Sequence, residues 1–228
     1  MTKVFIGVGH GGIDSGAVGN GFKEKALNLS IALACRDVLE RHGVTVGMSR
    51  TTDENDTLNE EIKECNAFDP VYAIDIHNNA GGGDGVEIFY HYGGGSSKTY
   101  AQNIIDEVVK IGQNSRGIKT RLTTYGKDYY GFIRETKAPA NIIECAFIDN
   151  ANDIKIIDTI AEQKAMGTAI AKGILKTLGI AYVEEKSNTN KIYRVQVGAF
   201  EAKSNADNML AKLKAAGFDG YVVEGEKK

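Results

Sequence analysis

Val71-Tyr72-Ala73-Ile74-Asp75-Ile76-His77 is apolar but for one acid until it ends on a histidine. A short, nearly continuous apolar run of this kind fits a strand buried on both faces, as in a parallel sheet. Val4-Phe5-Ile6-Gly7-Val8-Gly9-His10 repeats the pattern near the N-terminus and again closes on a histidine. Between the two, Phe22–His42 carries Leu27, Ile31, Ala34 and Val38 at helical spacing, and Gly43 stops it. Working outward, Val44–Met48 and Gly85–Tyr90 are predicted strands, and Leu58–Ala67 and Lys98–Ile111 predicted helices. Phe132–Arg134 and Asn141–Cys145 are expected as short strands, and Asp153–Leu178 as one long helix or two. Strands separated by helices of this length imply an α/β fold, a mostly parallel, mixed sheet with helices on both faces.

The chain of 228 residues has room for one full domain and a small appendage. With 42% apolar and 25% charged residues it can bury a substantial core, and no window approaches the length of a membrane span. A net charge of −3 offers no basic field for nucleic acid. Cys35, Cys65 and Cys145 are odd in number and form no C-x-x-C pair. They argue for a reducing site of synthesis and against a disulfide framework or a cysteine zinc site.

Glu184-Glu185-Lys186-Ser187-Asn188-Thr189-Asn190 is polar, without apolar periodicity, and is expected to be a linker. Beyond it, Ile192–Phe200 alternates like a strand, Ser204–Ala216 has helical periodicity, and Tyr221–Val223 is a second strand candidate. Residues 188–228 carry seven basic and five acidic side chains, a mild positive bias that favours an anionic polymer as partner. A segment of about forty residues rarely folds alone, so the tail is expected to need a partner.

The chemistry is concentrated in a few polar residues at strand ends. His42 closes a helix and His91 ends a strand beside Tyr90 and Tyr92; neither position calls for a function. His10 and His77 follow two apolar strands at their carboxyl ends, where open α/β sheets build ligand sites. Either alone suits a structural role, whereas the pair points to a shared metal. Glu24 follows the glycine loop that begins at His10; it suits a capping-box acid of a helix opened by Asn20-Gly21, or a third ligand. Glu144 is embedded in the apolar run from Ile142 to Ile148, and a carboxylate buried there needs a cation or a catalytic duty. Two histidines and a glutamate with one open position form the pattern of a catalytic zinc site. Gly7-Val8-Gly9-His10-Gly11-Gly12 also spells the dinucleotide fingerprint, but glycines continue at 16, 19 and 21 where the Rossmann helix should already have begun.

Gly9-His10-Gly11-Gly12-Ile13-Asp14-Ser15-Gly16-Ala17, Glu24, Ile74-Asp75-Ile76-His77-Asn78-Asn79 and Asn141-Ile142-Ile143-Glu144-Cys145-Ala146-Phe147-Ile148-Asp149-Asn150 together resemble the motifs of zinc-dependent N-acetylmuramoyl-L-alanine amidases. Arg116-Gly117-Ile118-Lys119 and Arg134-Glu135-Thr136 extend the resemblance, which covers about residues 3–180. It implies that His10, Glu24 and His77 bind one Zn2+ per chain and that Glu144 is the catalytic acid/base; Glu87, inside Gly85–Tyr90, is the runner-up carboxylate for the base. It places Asn79 at the substrate, which would be peptidoglycan cut between N-acetylmuramic acid and L-alanine. The chain departs from the family at Asp75, where a serine or similar small residue is usual, at Glu61, where an arginine is common, and at Cys145. Asp75 would then either orient His77 or compete as a ligand.

Tyr193-Arg194-Val195-Gln196-Val197-Gly198-Ala199-Phe200 and the helix and strand after it resemble one half of the SPOR peptidoglycan-binding repeat. The expected organisation is a catalytic domain over 1–180, a linker over 181–190 and a SPOR-like half repeat over 191–228. Exposed strand edges would let two chains pair into a homodimer through this tail. The start at Met1-Thr2-Lys3 leads straight into a strand, so synthesis in the cytoplasm without a signal peptide is expected. Action on the wall would follow lysis or holin-type release, as for an endolysin or a mother-cell lytic enzyme. The competing readings are a catalytically inert wall-binding or regulatory protein and a zinc carboxypeptidase.

Overall fold

The computed structural model describes residues 2–185 and 195–225. Strand β1 (Lys3–Val8) leads into a small hairpin, β2 (Val18–Gly19) and β3 (Phe22–Lys23), and then helix α1 (Glu24–Arg41). There follow β4 (Thr45–Met48), α2 (Leu58–Phe68), β5 (Tyr72–Asn79), β6 (Val86–Tyr90) and α3 (Gly95–Val108). The rest is β7 (Ser115–Lys119), α4 (Gly131–Glu135), β8 (Ala140–Phe147), α5 (Ile160–Thr177) and α6 (Lys203–Ala215). Six strands make one sheet in the order β4-β1-β5-β8-β6-β7; β6 and β7 are parallel to each other and antiparallel to the other four, so β8–β6 is the antiparallel junction.

Strand parity decides what each face of the sheet carries, because successive side chains point to opposite sides. Val4, Ile6 and Val8 of β1, Tyr72, Ile74 and Ile76 of β5, Val86 and Ile88 of β6, and Ile143 and Cys145 of β8 pack into one large core with α1, α3 and α5. Each such fully buried aliphatic side chain contributes roughly 1.5–3 kcal/mol. The opposite face holds Phe5, Ala73, Phe89, Ala140 and Ile142 against Cys65 of α2 and Phe132 and Ile133 of α4. Along that second face the apolar residues give way to polar ones toward the carboxyl ends of β1, β5 and β8. His77 stands opposite Glu144 and Glu144 opposite Glu87, so the three share a row on adjacent strands.

The structure differs from the sequence expectation at three places in this unit. Phe132–Arg134 is helical; Phe132 and Ile133 are consecutive yet both pack into the second-face cluster, which one helical turn allows and a strand, with successive side chains on opposite faces, does not. Strand β7, unanticipated, is a partly exposed edge with too little apolar alternation to announce itself. Helix α1 begins at Glu24, while Asn20-Gly21 turns the β2–β3 hairpin with both residues at positive φ. Lys23 occupies the N-cap without a side-chain cap, so Glu24 is not the third residue of a capping box. Asp153–Leu178 resolves into a short 3-10 turn at Asp153–Ile156 and α5, which starts at a true capping box of Thr159 and Glu162.

The residues to Val183 form one compact unit and those from Glu184 a second. In the second unit the predicted helix is present as α6, which buries no residue. The predicted strand at Ile192–Phe200 lies partly outside the described residues, and its described part, from Val195, has no strand partner among the described residues; nor does Tyr221–Val223. Val195, Val197, Tyr221 and Val223 are exposed, and an extended segment without a neighbour to bond is not a strand. Among the described residues no helix is long and apolar enough to cross a membrane.

Candidate metal centre

His10 lies two residues beyond β1 in a left-handed conformation, φ 62°, which a non-glycine residue adopts only when its surroundings impose it. The buried Arg50 supplies much of that imposition, donating to the carbonyls of Val8 (3.1 Å) and Gly9 (3.3 Å). Asp53 and Asn55 accept from the backbone amides of Gly12 and Ile13, both at 2.8 Å, and so pin the rest of the loop. The loop returns at Gly16, φ 61°, where a Cβ would stand 2.6 Å from both the Glu24 carboxylate and the His10 ring. Only glycine lets the chain pass there.

That return brings Glu24, the first residue of α1, between the two histidines. Its Oε2 is 3.1 Å from His10 Nε2 and its Oε1 is 3.0 Å from His77 Nδ1. Donor atoms of His10, Glu24 and His77 all lie within 4.8 Å of one another, and the two rings meet edge-on at 5.0 Å. Ligands bonded to one zinc at about 2.0–2.2 Å stand roughly 3–4 Å apart, so the residues present fit that ion in type, number and spacing. The Glu24 carboxylate is held in place by the backbone amides of Ala17 (2.8 Å) and Asn78 (3.1 Å) and by the Asn28 side chain (3.3 Å).

The electrostatics match a cation site. Burial opposes ionisation of Glu24, but hydrogen bonds with His10 and His77 outweigh it and hold the carboxyl well below its ordinary range. The hydrogen bond with Glu24 raises His10 above its usual value, against the pull of burial. Burial likewise opposes protonation of His77, yet Asp75, followed by Glu24, raises it well above the imidazole range. Two basic rings around one carboxylate make a proton-filled version of what a divalent ion would occupy.

Glu144 projects from β8 directly across from His77. Its Oε2 is buried with no hydrogen-bond partner, and burial pushes its carboxyl up to about 7, with Glu24, Asp75 and Glu87 adding to the rise and His77 opposing it. A carboxylate that titrates near neutrality and has a free oxygen beside a cation site is suited to move a proton. Glu87, on the far side of Glu144, is in a different state. It is bound by Arg116 Nε at 2.7 Å and Lys119 Nζ at 2.5 Å. Against the effect of burial, these two cations keep it below the ordinary carboxylate range. Asn79, expected at the substrate, donates to Glu87 at 3.1 Å and accepts from the Ala80 amide at 2.8 Å.

Two features of the site escaped the sequence reading. Asp14 stands behind His10, with Oδ2 2.8 Å from Nδ1; a short i,i+4 loop contact of this kind has no pattern to announce it. Tyr130, Leu58 and Phe132 line a cleft of about 270 Å³ together with His10, His77 and Asp75. They come from α2 and α4 and their flanks, and α4 was expected as a strand.

A family model described as N-acetylmuramoyl-L-alanine amidase matches residues 4–176. A SPOR domain model matches residues 170–224, beginning inside α5 and so ahead of residue 191. The N-acetylmuramoyl-L-alanine amidase CwlM of Bacillus licheniformis is 36% identical over 227 residues, 98% of this chain and 85% of that protein. The sporulation-specific N-acetylmuramoyl-L-alanine amidase of Bacillus subtilis (strain 168) is also 36% identical, over the same shares of both chains. Among solved structures, Cwp6 from Clostridium difficile superposes with a TM-score of 0.76 at 40% identity, covering 78% of this chain and 29% of that much longer one. Since the first match runs from β1 into α5, and with it through His10, Glu24, His77 and Glu144, the chain belongs to the N-acetylmuramoyl-L-alanine amidase family.

Proposed function

We propose that this protein is a zinc-dependent hydrolase that cuts peptidoglycan at the amide between the lactyl group of N-acetylmuramic acid and L-alanine. The observation that carries the reading is the His10–Glu24–His77 donor set beside the unpartnered Glu144 oxygen. Zinc, when bound, supplies Lewis-acid activation of water and of the scissile carbonyl near neutral pH. His10 and His77 would hold the ion through neutral nitrogens and Glu24 through its carboxylate. Glu144 takes the proton of the attacking water and gives it to the departing amine of L-alanine, a task for which its buried carboxyl with a free oxygen beside the donor set is placed. Glu87 is unsuited to that task, because Arg116 and Lys119 stabilise its ionised form and occupy its oxygen. The products are a glycan strand and a free stem peptide.

The second unit, matched by the SPOR model, is read as the part that holds the enzyme on the wall, with two tails pairing through their unpartnered extended segments. Sedimentation of the whole chain and its retention on purified sacculi test the two statements separately. The catalytic reading is tested by digesting purified peptidoglycan and identifying the new amino terminus. L-alanine supports it. Trimmed stem termini with the muramic acid–alanine bond intact would mark a carboxypeptidase, and an unchanged wall an inert binder.

A further inference from the structure

Each imidazole of the candidate centre has a carboxylate at its back. His10 presents Nε2 to Glu24 and Nδ1 to Asp14, whereas His77 presents Nδ1 to Glu24 and Nε2 to Asp75, 3.1 Å away. The two backing carboxylates differ in setting. Asp14 is largely exposed, while Asp75 is 3% exposed and sits inside β5, on the same face as His77. Parity explains the second arrangement: residues two apart on a strand project side by side, so Asp75 can reach only the nitrogen of His77 turned away from Glu24.

The other oxygen of Asp75 is enclosed. Its Oδ1 and the Oε1 of Glu61 on α2 are both buried, on either side of one small space. They flank the space above Gly7, where an added Cβ would lie 2.9 Å from the first and 2.0 Å from the second. Gly7 pairs with Asp75 across β1 and β5, so backbone bounds one side and Glu61 the other. With Oδ1 enclosed in this way, Oδ2 is the oxygen left to meet the ring.

We propose that Asp75, walled in by Glu61 and Gly7, is a positioning residue: it takes the Nε2–H of His77 and so fixes Nδ1 as the nitrogen offered to the metal. This rests on the zinc reading above. A carboxylate bonded to the outer nitrogen of a ligating histidine fixes its tautomer and raises its donor strength. The buried, enclosed Asp75 performs this for His77 more strongly than the exposed Asp14 can for His10, since water weakens an exposed pair.

The test uses the full chain, with Asp75→Asn, Asp75→Ala and Asp14→Asn variants checked for folding by circular dichroism. Zinc per chain and the zinc dissociation constant are measured by chelator competition. Long-range proton–nitrogen correlation spectra of the zinc-loaded wild type locate the His77 N–H. The expected results are one zinc per chain, a proton on His77 Nε2, and a 10–100-fold weaker zinc affinity for Asp75→Ala. Asp75→Asn, which keeps an acceptor, should lose less, and Asp14→Asn less still. A proton on Nδ1, or an Asp75→Ala affinity within twofold of wild type, overturns the proposal and leaves the zinc reading standing. Two zinc ions per chain falling to one in Asp75→Ala would make Asp75 a ligand and overturn it as well. A wild type that takes up no zinc defeats the zinc reading and this inference together. Should Asp75→Ala not fold, the proton position in the wild type and the affinity of Asp75→Asn decide the matter.

Discussion

Glu144 on β8 and His77 on β5 are direct partners across two parallel strands, so the proposed acid/base and one of the proposed metal donors are set by one backbone register. A one-residue slip of β8 would turn Glu144 into the large core and bring an isoleucine or a cysteine to its place. The catalytic geometry is thus as rigid as the sheet itself.

Glu144→Gln keeps the shape and removes the titrating oxygen. The variant should bind zinc with wild-type stoichiometry while muropeptide release falls by about 10²–10⁴-fold, the range of a lost acid/base. Release at near wild-type rate would show that another group carries the proton.

Glu87→Gln addresses the alternative base. Because Arg116 and Lys119 keep Glu87 ionised, its loss should cost far less than that of Glu144, within about tenfold if only charge positioning is affected. Steady-state digestion assays of the two variants side by side separate the roles. Equal losses would contradict the assignment of Glu144.

In the metal-free protein the raised pKa of Glu144, about 7, has a signed consequence for stability. Between the ordinary carboxylate range and about 7 the folded protein holds a proton that the unfolded chain has released. Folding therefore weakens as pH rises through that window, by roughly 3 kcal/mol for a shift of this size. The Gln variant lacks this cost. Urea unfolding should show Glu144→Gln gaining on wild type from about pH 4 to about pH 8. A difference that stays constant with pH would mean the carboxyl is not raised.

Zinc removal should destabilise the catalytic unit, because the ion binds only the folded arrangement of three distant residues. At a thousandfold excess over the dissociation constant the expected stabilisation is about 4 kcal/mol. For a domain of this size that is a melting shift of roughly 8–16 °C on adding chelator. Calorimetry with and without chelator checks it, and an unchanged melting temperature would contradict it.

The strands that carry the site were legible because β1, β5 and β8 are largely apolar runs with few polar residues. Asp75, His77 and Glu144 stood out for that reason. Glu24 was legible as an acid near the loop, but its place at the first turn of α1 depends on the β2–β3 hairpin, whose strands are two residues each and leave no periodic signal. Phe132 and Ile133 were misread because two adjacent apolar residues do not distinguish a helical turn from a strand. Arg50, which props the left-handed His10, lies in a polar stretch, and its burial follows from backbone carbonyls that no side-chain pattern reveals. The tail strands were read from the alternation at Ile192–Phe200, the apolar run at Tyr221–Val223 and the likeness to a SPOR repeat, which record segments ready for a neighbour and not whether the neighbour is there.

The most direct measurement is the zinc content per chain, after exhaustive dialysis, of the wild type and of His10→Ala, Glu24→Ala and His77→Ala. One zinc in the wild type, reduced to a small fraction in each folded variant, is the expected result. Zinc absent from the wild type, or retained in full by all three variants, would contradict the metal centre on which the hydrolytic account is built.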